Sequence, residues 1–299
     1  MKKFKLMMLT FAMAFGIMSC TTGNSASNKT DDGKKVIGFS VSTLNNPFFV
    51  TLTESAKSKA ESLGVELIVV NAGDDTAKQT NDIEDLVSKK IDVLIVNPVD
   101  SDAVTSAVYD ALENGIKTIS VDRSVNGVEV DSAISSDNVL GAELATKYLT
   151  ELIGKGSKVA ELRGVEGTSA AIDRGTGFHN VADKDLNVVA SQTANFNRVD
   201  GLSVTENMLQ ANPEIKGIFA HNDEMALGAI EALNGKNIPV VGFDATDDAT
   251  KAISEGKMAA TVAQKPDLMG NIAVETAVKI MNNETVDKII SVEVELVKK

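Results

Sequence analysis

Val36-Ile37-Gly38-Phe39-Ser40-Val41 runs into Ser42-Thr43-Leu44-Asn45-Asn46 and then into Pro47-Phe48-Phe49. A short Val/Ile-rich run, a polar loop and a proline-opened helix form a strand–loop–helix unit. Phe49, Leu52, Ala56, Ala60 and Leu63 share one helical face, and Gly64 stops the helix. The same rhythm continues outward. Strands are expected at 65–70, 93–96 and 118–121, with helices at 76–89 and from Ser101 or Asp102 to Asn114-Gly115. Beyond Asp137 come a helix to about Leu152, strands at 158–162, 188–191, 217–220, 240–243 and 259–262, and helices from about Ser169, at 199–210, 224–233, 249–253 and 268–281. One last strand is expected around Ile289 to Val297. Continuous apolar runs alternating with helices of about a dozen residues argue for parallel sheets covered on both faces. Too many such units are present for one small sheet, so two doubly wound α/β lobes are expected.

Composition excludes several functions. The chain has 299 residues and a formal net charge of −13, which opposes binding to nucleic-acid phosphates. One Cys excludes an internal disulfide, and two His with one Cys exclude a zinc cluster. No Gly-x-Ser-x-Gly elbow, Walker A loop or Gly-x-Gly-x-x-Gly fingerprint is present. Those motif-bearing enzyme classes are set aside, and no cofactor or metal is expected. His221 stays open as a general base at this point. It is the resemblance described below that implies a binding protein and not an enzyme.

The N-terminus carries an export signal. Lys2, Lys3 and Lys5 precede an apolar run from Leu6 to Ser19, too short for a comfortable membrane span. The run ends at Ile17-Met18-Ser19-Cys20, and Cys20 is the sole cysteine. This resembles a bacterial lipoprotein signal, which implies removal of residues 1–19 and lipidation of Cys20. The Ser/Thr/Asn/Asp-rich stretch 20–34 reads as a flexible tether. The expected location is the cell envelope, in the periplasm or on the outer face of the cytoplasmic membrane.

In open α/β sheets ligands bind beyond the carboxyl ends of the strands. The residues there are rich in Asn, Asp, Gln, Arg and Phe: Asn46, Asn97, Asp122-Arg123, Phe196, Asn222, Asp244 and Gln264. Asn and Asp after a strand are usually turn formers or helix caps, and a Phe pair at a helix start is usually core. Their accumulation at so many strand ends points instead to one polar cleft. Forked amides, carboxylates and guanidiniums match neighbouring sugar hydroxyls, and Phe rings match the C–H faces of a sugar. The chain has only four Arg, and one of them, Arg123, directly follows a strand.

The segments Val41–Val50, Asn97–Val104, Val121–Arg123, Ser136–Gly141, Gly167–Ala171, His221–Gly228 and Val241–Asp244 together resemble the pentose- and hexose-binding proteins of bacterial ABC importers, the ribose binders in particular. The resemblance spans Lys35 to Lys299. It implies a type I periplasmic binding protein: two doubly wound parallel-sheet lobes joined by three crossovers near Ser136, Gln264 and Val294. The lobes would be 35–136 plus 265–293, and 137–264 plus 294–299. It also implies the sugar contacts, here Asn46, Phe48, Phe49, Asn97, Asp122, Arg123, Arg174, Phe196, Asn222, Asp244 and Gln264. Phe48 and Phe196 would sandwich the ring, with Phe49 at its edge.

The implied partners are D-ribose or a related sugar, an ABC permease and, in some relatives, a chemotaxis receptor. The protein would act as a monomer held to the membrane only by a lipid. Allose, another pentose and autoinducer-2 are the alternative ligands. A sugar-responsive repressor with the same fold is opposed by the export signal and by the absence of an N-terminal DNA-binding helical segment. The departures from the family are short deletions near 182–186 and 235–239, which imply loop changes away from the pocket.

Overall fold

The computed structural model describes residues 35–299. The expected leader, tether and lipidated Cys20 lie outside them.

The first half of the chain runs β1 (Val36–Val41), α1 (Pro47–Leu63), β2 (Glu66–Asn71), α2 (Thr76–Ser88), β3 (Val93–Val96), α3 (Thr105–Glu113), β4 (Lys117–Val121) and β5 (Ser132–Ser136). The next part runs α4 (Asn138–Ile153), β6 (Lys158–Arg163), α5 (Ser169–Asp185), β7 (Asn187–Thr193), α6 (Arg198–Ala211), β8 (Gly217–Ala220), α7 (Asp223–Leu233), β9 (Val240–Asp244), α8 (Asp247–Ser254) and β10 (Ala260–Ala263). α9 (Pro266–Met281), β11 (Ile289–Val292) and β12 (Glu295–Lys298) follow.

These elements build two six-stranded sheets of matching order, β11-β5-β4-β3-β1-β2 and β12-β10-β9-β8-β6-β7. All pairings are parallel except β10 with β12. In both sheets the strand order reverses beside the first strand, at β1/β3 and at β6/β8. Crevices open at such points. β3, β8 and β9 are buried along their whole length, as strands covered on both faces must be. The first sheet is covered by α1 and α9 on one face and by α2 and α3 on the other. The second is covered by α6, α7 and α8 on one face and by α4 and α5 on the other.

The chain passes between the sheets three times: after Ser136 into α4, after Ala263 into α9, and at Glu293–Val294 between β11 and β12. The lobes are closed on each other. Ser101 N–H donates to the Gly167 carbonyl at 2.9 Å, and Ser169 Oγ accepts from Ser124 N–H at 2.9 Å.

Three sequence expectations need correction. β5 was not expected, because Ser132-Ala133-Ile134-Ser135-Ser136 lacks an apolar run. It is a strand because β4 and β11 flank it. The single strand expected over 289–297 is two strands in different sheets. α3 begins at Thr105, because the Asp100 carboxylate accepts from the N–H groups of Asp102 and Ala103 and holds the preceding residues in turns.

Candidate functional site

Between the carboxyl ends of the two sheets lies a narrow, almost closed cavity. The first lobe contributes Asn46, Phe48, Phe49, Asp122 and Arg123 to its wall. The second contributes Ala170, Arg174, Phe196, Asn222 and Asp244, and Gln264 sits at the second crossover. Ten of the eleven residues singled out in the sequence therefore come together on one surface. Asn97 stands one layer back. Its Oδ1 accepts from Ser42 Oγ at 2.7 Å, and its Nδ2 donates to Asp122 Oδ2 at 3.3 Å.

Local backbone features put these groups in place. Asn46 caps α1, its Oδ1 accepting from Phe48 N–H at 2.9 Å. Asn222 caps α7 through Met225 N–H, and its Nδ2 donates to the Phe196 carbonyl at 3.2 Å. The capping reading and the binding reading thus hold for the same residues. Asp122, Phe196 and Asp244 have φ of 65°, 57° and 128°, a region that non-glycine residues rarely adopt. Such conformations concentrate at ligand clamps and cost about 1–3 kcal/mol each. Gly164 makes room for the Phe196 ring: a Cβ there would lie 2.1 Å from the ring.

Two carboxylates and two guanidiniums, all buried, face the cavity. Arg123 donates to the Pro98 carbonyl at 2.8 Å and lies 5.1 Å from the Phe49 ring centre and 5.3 Å from that of Phe196. One first-lobe cation is thus clamped between rings from both lobes. Arg174 donates from Nε to Asn138 Oδ1 at 2.9 Å and from a terminal nitrogen to the His221 carbonyl at 2.6 Å. It rests 3.9 Å from the Phe243 ring centre. Asp244 lies 3.7 Å from Arg174 and accepts from Gln264 Nε2 at 2.7 Å.

Burial pushes the Asp122 and Asp244 carboxyls up, against the pull of Arg174 on both and of Arg123 on Asp122. Burial likewise pulls both guanidiniums below their usual range, against the neighbouring carboxylates. Buried ions require hydrogen bonds. Here the supply within the protein is incomplete: Arg123 Nε and Gln264 Oε1 are buried without a hydrogen-bond partner. The charges balance two against two, so the cavity suits an uncharged ligand that both donates and accepts.

Asn138, Ala170, Phe243 and the carbonyls of Pro98 and His221 were not foreseen. Backbone acceptors leave no trace in side-chain identity. Asn138 had a signal, since it sits where the chain enters the second sheet.

Residues 37–285 match the model of the periplasmic binding protein domain. The chain belongs to the periplasmic binding protein family. This periplasmic binding protein is 48% identical over 272 residues to the ribose import binding protein of Bacillus subtilis, covering 90% of this chain and 89% of that one. It is 47% identical over 270 residues to the ribose import binding protein of Escherichia coli, covering 89% and 91%. Among solved structures it is similar to an ABC transporter solute binding protein from Bacillus halodurans with bound myo-inositol. The TM-score is 0.86 at 33% identity, covering 90% of this chain and 96% of that one. The type I fold expected from the resemblance is thus shown. As a periplasmic binding protein the chain is an extracytoplasmic receptor that binds a solute without converting it.

Proposed function

We propose that this protein captures D-ribose between its lobes and delivers it to an ABC import permease. The observation that carries this is a cleft of two buried Asp and two buried Arg, with Arg123 between the Phe49 and Phe196 rings and with Arg123 Nε and Gln264 Oε1 free of hydrogen bonds within the protein. A neutral polyol uses each hydroxyl as donor and acceptor at once, which matches Arg donors beside Asp acceptors. The names of the relatives at 47–48% identity favour ribose over other sugars. A second reading, a different polyol such as allose or an inositol, is favoured by the ligands of two similar solved structures, D-allose in one and myo-inositol in the other.

We take 35–136 plus 265–293 as one lobe and 137–264 plus 294–299 as the other, with the three passes as the hinge. Each lobe holds part of the site, so ligand shifts the population toward closure. All eleven residues are assigned to the site, Asn97 by orienting Asp122. Hydrogen bonds to charged groups contribute roughly 1.5–3 kcal/mol each. Several of them, after ordering costs, give an affinity on the order of 1 μM or better. The protein acts as a monomer anchored through lipid on Cys20, and a chemotaxis receptor is a further partner for its closed form.

The deciding experiment is calorimetric titration of protein freed of copurifying ligand with D-ribose, allose, arabinose, xylose, glucose, myo-inositol and autoinducer-2. Tight one-to-one ribose binding, weakened by every epimer, is expected. Preference for another of these ligands overturns ribose, and binding of none overturns the sugar reading. Detergent partitioning of wild type against Cys20→Ser tests the anchor.

A further inference from the structure

We infer that Asp223 is a positioning residue for the sugar site: its carboxylate holds the strained segment that aims Asp244 into the cavity. The inference rests on the proposed reading of the site. Asp223 is the first residue of α7, fully buried, and does not itself line the cavity. Its Oδ2 accepts from Thr246 N–H at 2.8 Å and from Thr246 Oγ1 at 3.2 Å. Its Oδ1 accepts from Thr261 Oγ1 at 2.6 Å, and that hydroxyl in turn accepts from Ala245 N–H at 3.2 Å. Both amides that follow Asp244 are therefore tied to one carboxylate, directly or through one hydroxyl.

The segment so held is strained. Asp244 and Ala245 have consecutive φ values of 128° and 55° without a glycine. A conformation of this kind persists only where its surroundings over-determine it. Asp223 supplies that constraint from a different helix, and the neighbouring chain makes space for it: a Cβ on Gly242 would lie 2.5 Å from Asp223 Oδ1. The groups that act on it are Glu224 on its own helix, which is paired with Arg198, Asp244 on β9 and Arg174 on α5. None forms an ion pair with it among the described residues. Burial pushes its carboxyl up to about 7, against the hydrogen bonds from Thr261 and Thr246. An interior carboxylate with no cation in contact is costly. Its three donors all belong to the two segments that frame Asp244 and Gln264.

The test uses Asp223→Asn and Asp223→Ala in the full chain. Ribose affinity is read by calorimetry, and amide hydrogen exchange is read residue by residue by NMR. Asn keeps one acceptor for Thr246 N–H, so an about tenfold loss of affinity is expected for Asp223→Asn and a larger loss for Asp223→Ala. Exchange at Ala245 and Thr246 should speed up at least tenfold in both variants, while amides in the centres of β6 and β8 keep their protection. Affinity within threefold of wild type in Asp223→Ala overturns the inference. So does unchanged exchange at Ala245 and Thr246, and this readout decides even if wild type binds no sugar, an outcome that removes the ribose reading alone. If Asp223→Ala does not fold, Asp223→Asn decides by the same two measurements.

Discussion

Arg123 concentrates the logic of the site in one side chain. It is buried, held by the Pro98 carbonyl, flanked by rings from both lobes, and left with an unpartnered Nε. Arg123→Ala removes donors to the ligand and strands the Asp122 carboxylate in a dry environment. Two lost hydrogen bonds to a charged group are worth about 3 kcal/mol or more, at least a hundredfold in Kd. Calorimetry checks this, and unchanged affinity would remove Arg123 from the site. Asp223 makes a prediction about pH. Its carboxyl is raised from 3.8 to about 7, so the folded state binds its proton more tightly than the unfolded state. Its contribution to stability is then fully present below about pH 4 and is lost as pH rises toward 7. Between pH 4.5 and 8, the fall in Tm should be shallower in Asp223→Asn than in wild type. His221 works in the opposite sense, since burial lowers its pKa and it destabilises the fold on acidification. It is present in both proteins and drops out of the comparison.

The elements were legible wherever an apolar run or a cap announced them. Val93–Val96 is buried end to end and reads as a strand from its composition alone. Asn46, Asn197 and Asn222 sit at helix starts as capping residues should. β5 was invisible because hydroxyl-bearing residues occupy three of its five positions, and its place is set by strands distant in sequence. The apolar pattern after Ile289 reads as one strand, because edge strands of either sheet read alike; only the resemblance pointed to a crossover near Val294. Most of the site was legible because side chains of matching chemistry recur at strand ends. The positive φ at Asp122, Phe196 and Asp244 was not, since no glycine marks it. At this scale Gly164→Ala is the informative change. Its Cβ would collide with the Phe196 ring, whose backbone is held by Asn222, so the ring must leave the cavity. At least a tenfold loss in sugar affinity is expected with Tm within a few degrees of wild type, checked by calorimetry and thermal melts.

For the whole molecule the decisive event is closure, and Gly167 is a point of close approach between the lobes. A Cβ there would lie 1.6 Å from the Asp100 carboxylate of the facing lobe. Gly167→Ala should therefore hold the lobes apart. Small-angle scattering should show a larger radius of gyration in saturating ribose than wild type shows, and Asp100→Gly should restore compaction. Equal compaction in wild type and Gly167→Ala would mean that the lobes close by another path. The three passes between lobes have one more consequence, for the order in which the polypeptide reaches its final form. The first sheet needs β11 and is covered by α9, both supplied by residues after Pro266, and the second needs β12, whose residues begin at Glu295. A chain threaded outward from its N-terminus can finish neither half until nearly all of it has emerged. Completion of this kind ties both halves to one late segment, so neither half reaches its final form independently of the other.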